Sequence, residues 1–161
     1  MHEIEKEFVE LYRTVGMAMG AEGPFPAIFA RVFIEPEDIA MDDLAKELGY
    51  SLSSISSALK MLEPMGFIRK IKKPGSKKIY LTTEKDILQV MRGHLLRKER
   101  IALAKFRESL PAILEKYKAK KLSDEDKKKL KIVEQYYKRM LQLEFFIKDT
   151  VQRLDALANS P

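Results

Sequence analysis

Through the first part of the chain, apolar residues recur at helical intervals. Ile4, Phe8, Leu11, Tyr12, Val15 and Met19 fall three and four apart, which predicts an amphipathic helix over residues 3 to 19 with that set as its apolar stripe. "GAEGPFP", with Gly20, Gly23, Pro24 and Pro26, ends it, and the following "AIFARVFI" is apolar enough for a short buried helix before the break at "EPED". "MDDLAKELG" places Leu44, Ala45 and Leu48 on one face, with Gly49 as the C-terminal stop. Outside a long apolar segment, the Gly16 and Gly20 pair of "GMAMG" indicates at most a close helix approach.

The next helix is unusual in composition. "YSLSSISSALK" carries Ser51, Ser53, Ser54, Ser56 and Ser57 within seven positions. Ser51 is the natural N-cap. At 100° per residue, Ala58, Leu59 and Leu62 lie within about 60° of Ile55, while Ser53, Ser57 and Lys60 lie nearly opposite. Ser56 sits on one flank, and Ser54 and Met61 on the other. Pro64 and Gly66 close the helix. Then the period changes: in "FIRKIKKPGSKKIYLT", β-branched and aromatic residues alternate with basic ones around Pro74-Gly75, the pair a type II turn requires. This predicts a β-hairpin with a basic tip, and its Arg69, Lys70, Lys72, Lys73, Lys77 and Lys78 face no acidic residue within the same stretch.

From Thr83 onward the pattern is helical. Thr83 is expected to begin a helix with Glu84 and Asp86 in its first turn, its stripe running through Ile87, Met91, Leu95, Ala102 and Phe106 towards Pro111. "LSDED" places Ser123 as N-cap with Asp126 at the third helical position, close to a capping box. The last helix repeats apolar residues at Val133, Tyr137, Met140, Ile147, Val151, Leu154 and Ala158, with Glu144 interrupting. Such a long stripe needs a partner.

Composition narrows the chemistry. With 161 residues, 45% hydrophobic and 34% charged, the chain reads as folded, either one domain with a real core or a small domain plus an extension, and no apolar run approaches the roughly 18 to 20 residues that span a bilayer. "MHEIEKEFVE" is acidic and amphipathic, unlike a secretory signal, so the expected compartment is the cytoplasm. Without cysteine, and with His2 and His94 far apart, thiol catalysis, disulfides and Cys- or His-based metal sites are closed routes. No phosphate loop, nucleophile elbow or paired-carboxylate arrangement is present, so no cofactor and no enzymatic activity are expected. Net charge is +6, but unevenly spread: residues 1 to 66 hold 5 Lys/Arg against 12 Asp/Glu, and residues 67 to 161 hold 25 against 12. A basic excess confined to one part of a chain points to a polyanionic partner.

Helix, glycine turn, second helix and basic hairpin follow the order of a winged helix-turn-helix, in which the second helix enters the major groove. The stretch "MDDLAKELGYSLSSISSALKMLEPMGFIRKIKKPGSKKIYLT" resembles the DNA-binding core of MarR-superfamily transcriptional regulators. Followed by long C-terminal helices, it is similar to the branch typified by glycine-betaine-synthesis repressors and small archaeal relatives. The resemblance covers residues 3 to 158, although only residues 41 to 82 are motif-specific. It implies a mainly α fold: residues 1–20 as a helix of the dimer interface, 21–83 as a winged helix-turn-helix with a two-stranded β-wing, and 84–161 as a helical dimerisation region.

By position, residues 51 to 63 would read bases and the hairpin of residues 67 to 82 would be the wing. Ser51, Ser53, Ser54, Ser56, Ser57 and Lys60 on the helix, with Arg69, Lys72, Lys73, Lys77 and Lys78 on the wing, are the candidate DNA-binding residues. The implied partners are double-stranded DNA, a second copy of the chain and, as in many members of the family, a small-molecule effector. Two departures stand out. Ala40 occupies the N-cap where relatives often have Ser or Thr, forgoing about 1 kcal/mol that Asp42 and Asp43 partly recover through the helix dipole. Serines stand where relatives carry longer Asn, Gln or Arg side chains.

The expected function is a dimeric, sequence-selective transcriptional regulator, a repressor by preference. The alternatives are non-specific architectural DNA binding and a winged-helix protein-interaction adaptor. Tyr136, Tyr137, Phe145 and Phe146 read as core or dimer interface before ligand pocket, and His94 as a helix-surface residue. Arg92, Arg97, Lys98, Arg100, Lys105 and Arg107 read as solvated cations, as does the "KYKAKK" connection of residues 116 to 121.

Overall fold

A computed structural model describes residues 1–21 and 23–158. Contacts divide the chain into two compact units, Met1–Val90 and the residues from Met91 onward.

The first unit is built around α2 (Phe25–Ile34), whose residues 26 to 32 are all buried. A helix apolar on every side has to be surrounded. α1 (Glu3–Ala18) lies against it through interleaved rings, with Phe8–Tyr12 centroids 5.0 Å apart, Tyr12–Phe29 at 5.6 Å and Phe29–Phe33 at 5.5 Å. The inward face of α1 is Phe8, Val9, Tyr12 and Gly16, whereas Ile4, Leu11, Val15 and Met19, expected on the inner stripe, are exposed. α1 is thus apolar on two sides, and a single-stripe reading merges them. Gly16 is where the two helices come closest: a Cβ there would collide with the ring of Pro26.

α2 also buries a charge. Arg31 is 4% exposed, donates from Nε to Glu47 (2.7 Å) and forms ion pairs with Glu35 (2.6 Å) and Glu5 (3.7 Å). Burial works against the guanidinium charge, but the hydrogen bonds with Glu47 and Glu35 outweigh it and the Arg31 pKa is raised.

α3 (Met41–Leu48) starts at Ala40 without a side-chain cap and stops at Gly49, whose φ of +74° is the left-handed conformation that glycine adopts without steric cost. α4 (Leu52–Leu62) follows. The wing is β2 (Arg69–Lys72) antiparallel to β3 (Ile79–Thr82), pairing Arg69 with Thr82 and Lys72 with Ile79. A third strand, β1 (Ile39–Ala40), pairs with the other edge of β3, so the expected two-stranded wing belongs to a three-stranded sheet ordered β1-β3-β2. Two residues are too few to show a strand period in sequence. Ile28, Leu44, Ile55, Leu59, Leu62, Ile68 and Leu81 make one dry core shared by the helices and the wing.

Thr83 does not begin the next helix. Its side chain is buried and its hydroxyl donates to the Phe67 carbonyl at 2.6 Å, tying the exit of the wing to its entrance. The helix α5 (Ile87–Lys98) starts after Asp86, whose carboxylate accepts from the Leu88 N–H at 2.8 Å. A π-helical turn, Glu99–Leu103, leads into α6 (Ala104–Lys118), which continues through Pro111, beyond the expected end. Because a π turn adds a residue to the count, a constant helical period fails across it. The buried positions are Val90, His94, Leu103, Leu110 and Leu114, not the expected Ile87, Met91, Ala102 and Phe106, which are exposed, while Leu95 is half-buried. His94, read as a surface residue, is 9% exposed.

α7 (Asp124–Ala158) begins as its sequence predicts: Ser123 accepts from the Asp126 N–H at 3.1 Å, and its hydroxyl donates to the Asp126 carboxylate at 2.7 Å. Ile147 and Val151 pack with Leu103. Glu144, which interrupts the α7 stripe, is buried and its Oε1 accepts from Arg107 and from Lys148, each at 2.7 Å. Lys148, then Arg107, hold its pKa below the usual carboxylate value.

Two outcomes follow from this packing. Gly16→Ala gains helix propensity, worth up to about 1 kcal/mol, but overpacks the α1–α2 contact by about 1–3 kcal/mol, so denaturant melts should show a net loss of stability. Glu144 has a depressed folded pKa, so its contribution is present above the unfolded carboxylate range and is lost as pH falls through the folded value. Glu144→Gln should therefore flatten the acid limb of a stability–pH profile while lowering stability at neutral pH.

Candidate nucleic-acid interface

The geometry of α4 follows from its two faces. Ile55, Leu59 and Leu62 are fully buried, which fixes the rotation of the helix and turns Ser53, Ser57 and Lys60 outward. Ser54 and Ser56 are half-buried on the flanks, and Met61 is 60% exposed. Ser51 caps the helix as expected, accepting from the Ser54 N–H at 3.1 Å, and the two hydroxyl oxygens lie 2.9 Å apart. Ser51 and the half-buried Ser54 are thus already engaged with each other, whereas Ser53 and Ser57 are exposed on the same helix. Beside them runs an open groove of about 680 Å³ walled by Pro24 and Phe25 on one side and Ser53, Ser57 and Met61 on the other.

The hairpin turns as its Pro-Gly pair predicts, with Ser76 N–H donating to the Lys73 carbonyl at 3.1 Å and Gly75 at φ +77°. Its cations are not equivalent. Lys73 lies 3.1 Å from Asp38 and 4.5 Å from the centroid of the Tyr80 ring. Lys78 reaches Asp42 at 2.9 Å and Asp43 at 3.3 Å. Lys70 is paired with Glu63 at 2.9 Å. Among the described residues, Arg69, Lys72, Lys77 and, on α4, Lys60 are exposed and have no carboxylate partner.

These pairs leave an electrostatic signature. Lys73 lowers the Asp38 pKa through its hydrogen bond, Lys78 does the same to Asp42, and the Lys78 pKa is raised chiefly by Asp42 and then by Asp43. Sequence reasoning took Asp42 and Asp43 as compensation for an uncapped helix and missed that they also hold a wing lysine. Their partner lies 35 residues beyond Asp43 in sequence, and only strand pairing brings it back.

The structure anchors α4 and the wing in one core and leaves Ser53, Ser57 and Lys60 on the helix and Arg69, Lys72 and Lys77 on the wing exposed. Donors of this kind suit phosphates and base edges. The arrangement is that of a winged helix-turn-helix. Residues 35–80, from the segment before β1 into β3, match the model of the MarR family. The crystal structure of a transcriptional regulator, 17% identical in sequence, superposes with a TM-score of 0.70 over 94% of this chain and 98% of that one, a likeness of fold. No curated protein matches the chain.

The serines can be sorted by stability. Ser51→Ala removes the cap and should cost about 1 kcal/mol. Ser53→Ala and Ser57→Ala should each leave stability unchanged or raise it by up to about 0.5 kcal/mol through helix propensity. Urea unfolding of the three variants checks the division.

Proposed function

We propose that the protein is a homodimeric regulator of transcription that binds double-stranded DNA sequence-selectively and acts as a repressor. The observation that carries this reading is α4 itself: an apolar edge locked in the core holds a short hydroxyl-bearing face outward, next to a basic hairpin, within the segment that matches the MarR family. Helix α4 would enter the major groove, with Ser53, Ser57 and Lys60 towards the bases. Arg69, Lys72, Lys73, Lys77 and Lys78 would lie along flanking phosphates.

Residues 1–20 and 84–161 are assigned to the interface between copies, and 21–83 to DNA. Supporting that division, Ile4 and Leu11 on α1 and Phe145 and Phe146 on α7 are all more than half exposed, an amount of bare apolar surface that a second copy would cover. The length of α7 supports a place near the glycine-betaine-synthesis repressors. A small-molecule effector would have access to α4 through the groove beside Phe25. No described helix is long and apolar enough to cross a membrane, which accords with the proposed cytoplasmic setting.

The short serine side chains favour one alternative, architectural binding without sequence preference, since hydroxyls discriminate bases less than bidentate side chains do. Selection of fragments from a random duplex pool decides. A regulator should enrich an inverted repeat with half-site centres about 10 base pairs apart or a multiple of that. An architectural protein should bind without enrichment, and an adaptor should not bind. Affinity for the enriched site should fall steeply with salt, and Ser57→Glu should abolish it while leaving the melting temperature in place, because Ser57 is exposed.

A further inference from the structure

We propose that Asp42 and Asp43 compete with DNA phosphate for Lys78, so that the first turn of α3 restrains the grip of the wing; this rests on the DNA-binding reading above.

The three side chains form an electrostatic group, with Lys46 at its edge, its Nζ 4.0 Å from Asp43 Oδ1. The Lys78 Nζ lies 2.9 Å from Asp42 Oδ2 and 3.3 Å from Asp43 Oδ2, so one ammonium faces two carboxylates. The charge of Lys78 is thus already answered from within the chain, while Lys77 beside it stays exposed. Its backbone is fixed as well: the Lys78 N–H donates to Ser76 Oγ at 3.1 Å, which keeps the lysine at the end of the turn from which it reaches α3. Side-chain exposure is 47% for Lys78, 34% for Asp42 and 48% for Asp43. Solvent-exposed pairs of this kind are weak and readily exchanged.

The neighbouring pair is different in kind. Lys73 has Asp38 on one side and the ring of Tyr80 on the other, and the Tyr80 hydroxyl lies 3.4 Å from Ser76 Oγ across the turn. That contact braces the hairpin. Lys78 touches α3 only through its charge and can be traded for another anion. The structure therefore contains one wing lysine that shapes the turn, one that is held in reserve, and Lys72 and Lys77, which are open to solvent.

The test measures binding of the full chain to a labelled mixed-sequence duplex over a series of salt concentrations. Asp42→Asn/Asp43→Asn should tighten binding by about two- to fivefold per protomer. It should also steepen the slope of log affinity against log salt by about 0.9 per protomer, as one more phosphate is neutralised. Adding Lys78→Ala to that variant should remove both gains. Because Asp42 and Asp43 also favour the first turn of α3, Asp42→Ser/Asp43→Ser serves as a second charge-free pair with hydroxyls near the helix start, and thermal melts accompany each variant. Unchanged or weaker binding by the folded charge-free variants overturns the proposal, as does a gain that survives Lys78→Ala. If the unsubstituted chain fails to bind duplex DNA at all, the functional reading falls and this inference falls with it.

Discussion

The candidate interface depends on one constraint, the dry edge of α4. Ile55, Leu59 and Leu62 are each fully buried, and burial is worth roughly 1.5 to 3 kcal/mol per side chain. Four interior serines cost up to about 0.5 kcal/mol each in helix propensity. The first effect wins, so a sequence poor in helix formers still gives a helix, held at a single rotation about its axis. That rotation places Ser53 and Ser57 in solvent. Moving the buried set by one residue would turn the helix by about 100° and bring the serines against α2 and α3.

The same core holds a charge, and its partners explain part of the acidic excess in the first 66 residues. Arg31 sits on a helix otherwise suited to complete burial, and Glu5, Glu35 and Glu47 reach it from α1, from the end of α2 and from α3. A buried guanidinium is tolerated only where carboxylates balance its charge. The three carboxylates therefore constrain where α1 and α3 can lie against α2, adding direction to contacts that apolar packing leaves free to slide.

What the sequence made legible was whatever repeats locally. The cap at Ser51, the stop at Gly49, the Pro74-Gly75 turn and the start of α7 at Ser123 each depend on residues a few positions apart, and each stands in the structure. The misreadings have long-range or non-repeating causes. Thr83 resembles an N-cap but spends its hydroxyl on Phe67, sixteen residues back. The stripe through α5 and α6 slips at a π turn that no spacing announces. α1 is apolar on two faces, and only the position of α2 selects the inner one. Of the candidate site, the helix face was readable because it is the complement of a core pattern. The state of each wing cation was not, because Asp38, Asp42 and Asp43 meet Lys73 and Lys78 only after β3 has paired.

That last difference changes how the basic charge should be counted. By sequence the wing holds six cations and no acid. In the fold, Lys70, Lys73 and Lys78 have carboxylate neighbours drawn from α3, from the residue after α4 and from the segment before β1. Arg69, Lys72 and Lys77 remain for an external anion without first breaking a contact. A polyanion approaching this surface therefore meets a graded set of charges, some open and some to be won from an internal competitor. On the proposed reading, local charge pairing, more than the net charge of the chain, would set both the strength of the encounter and its dependence on salt.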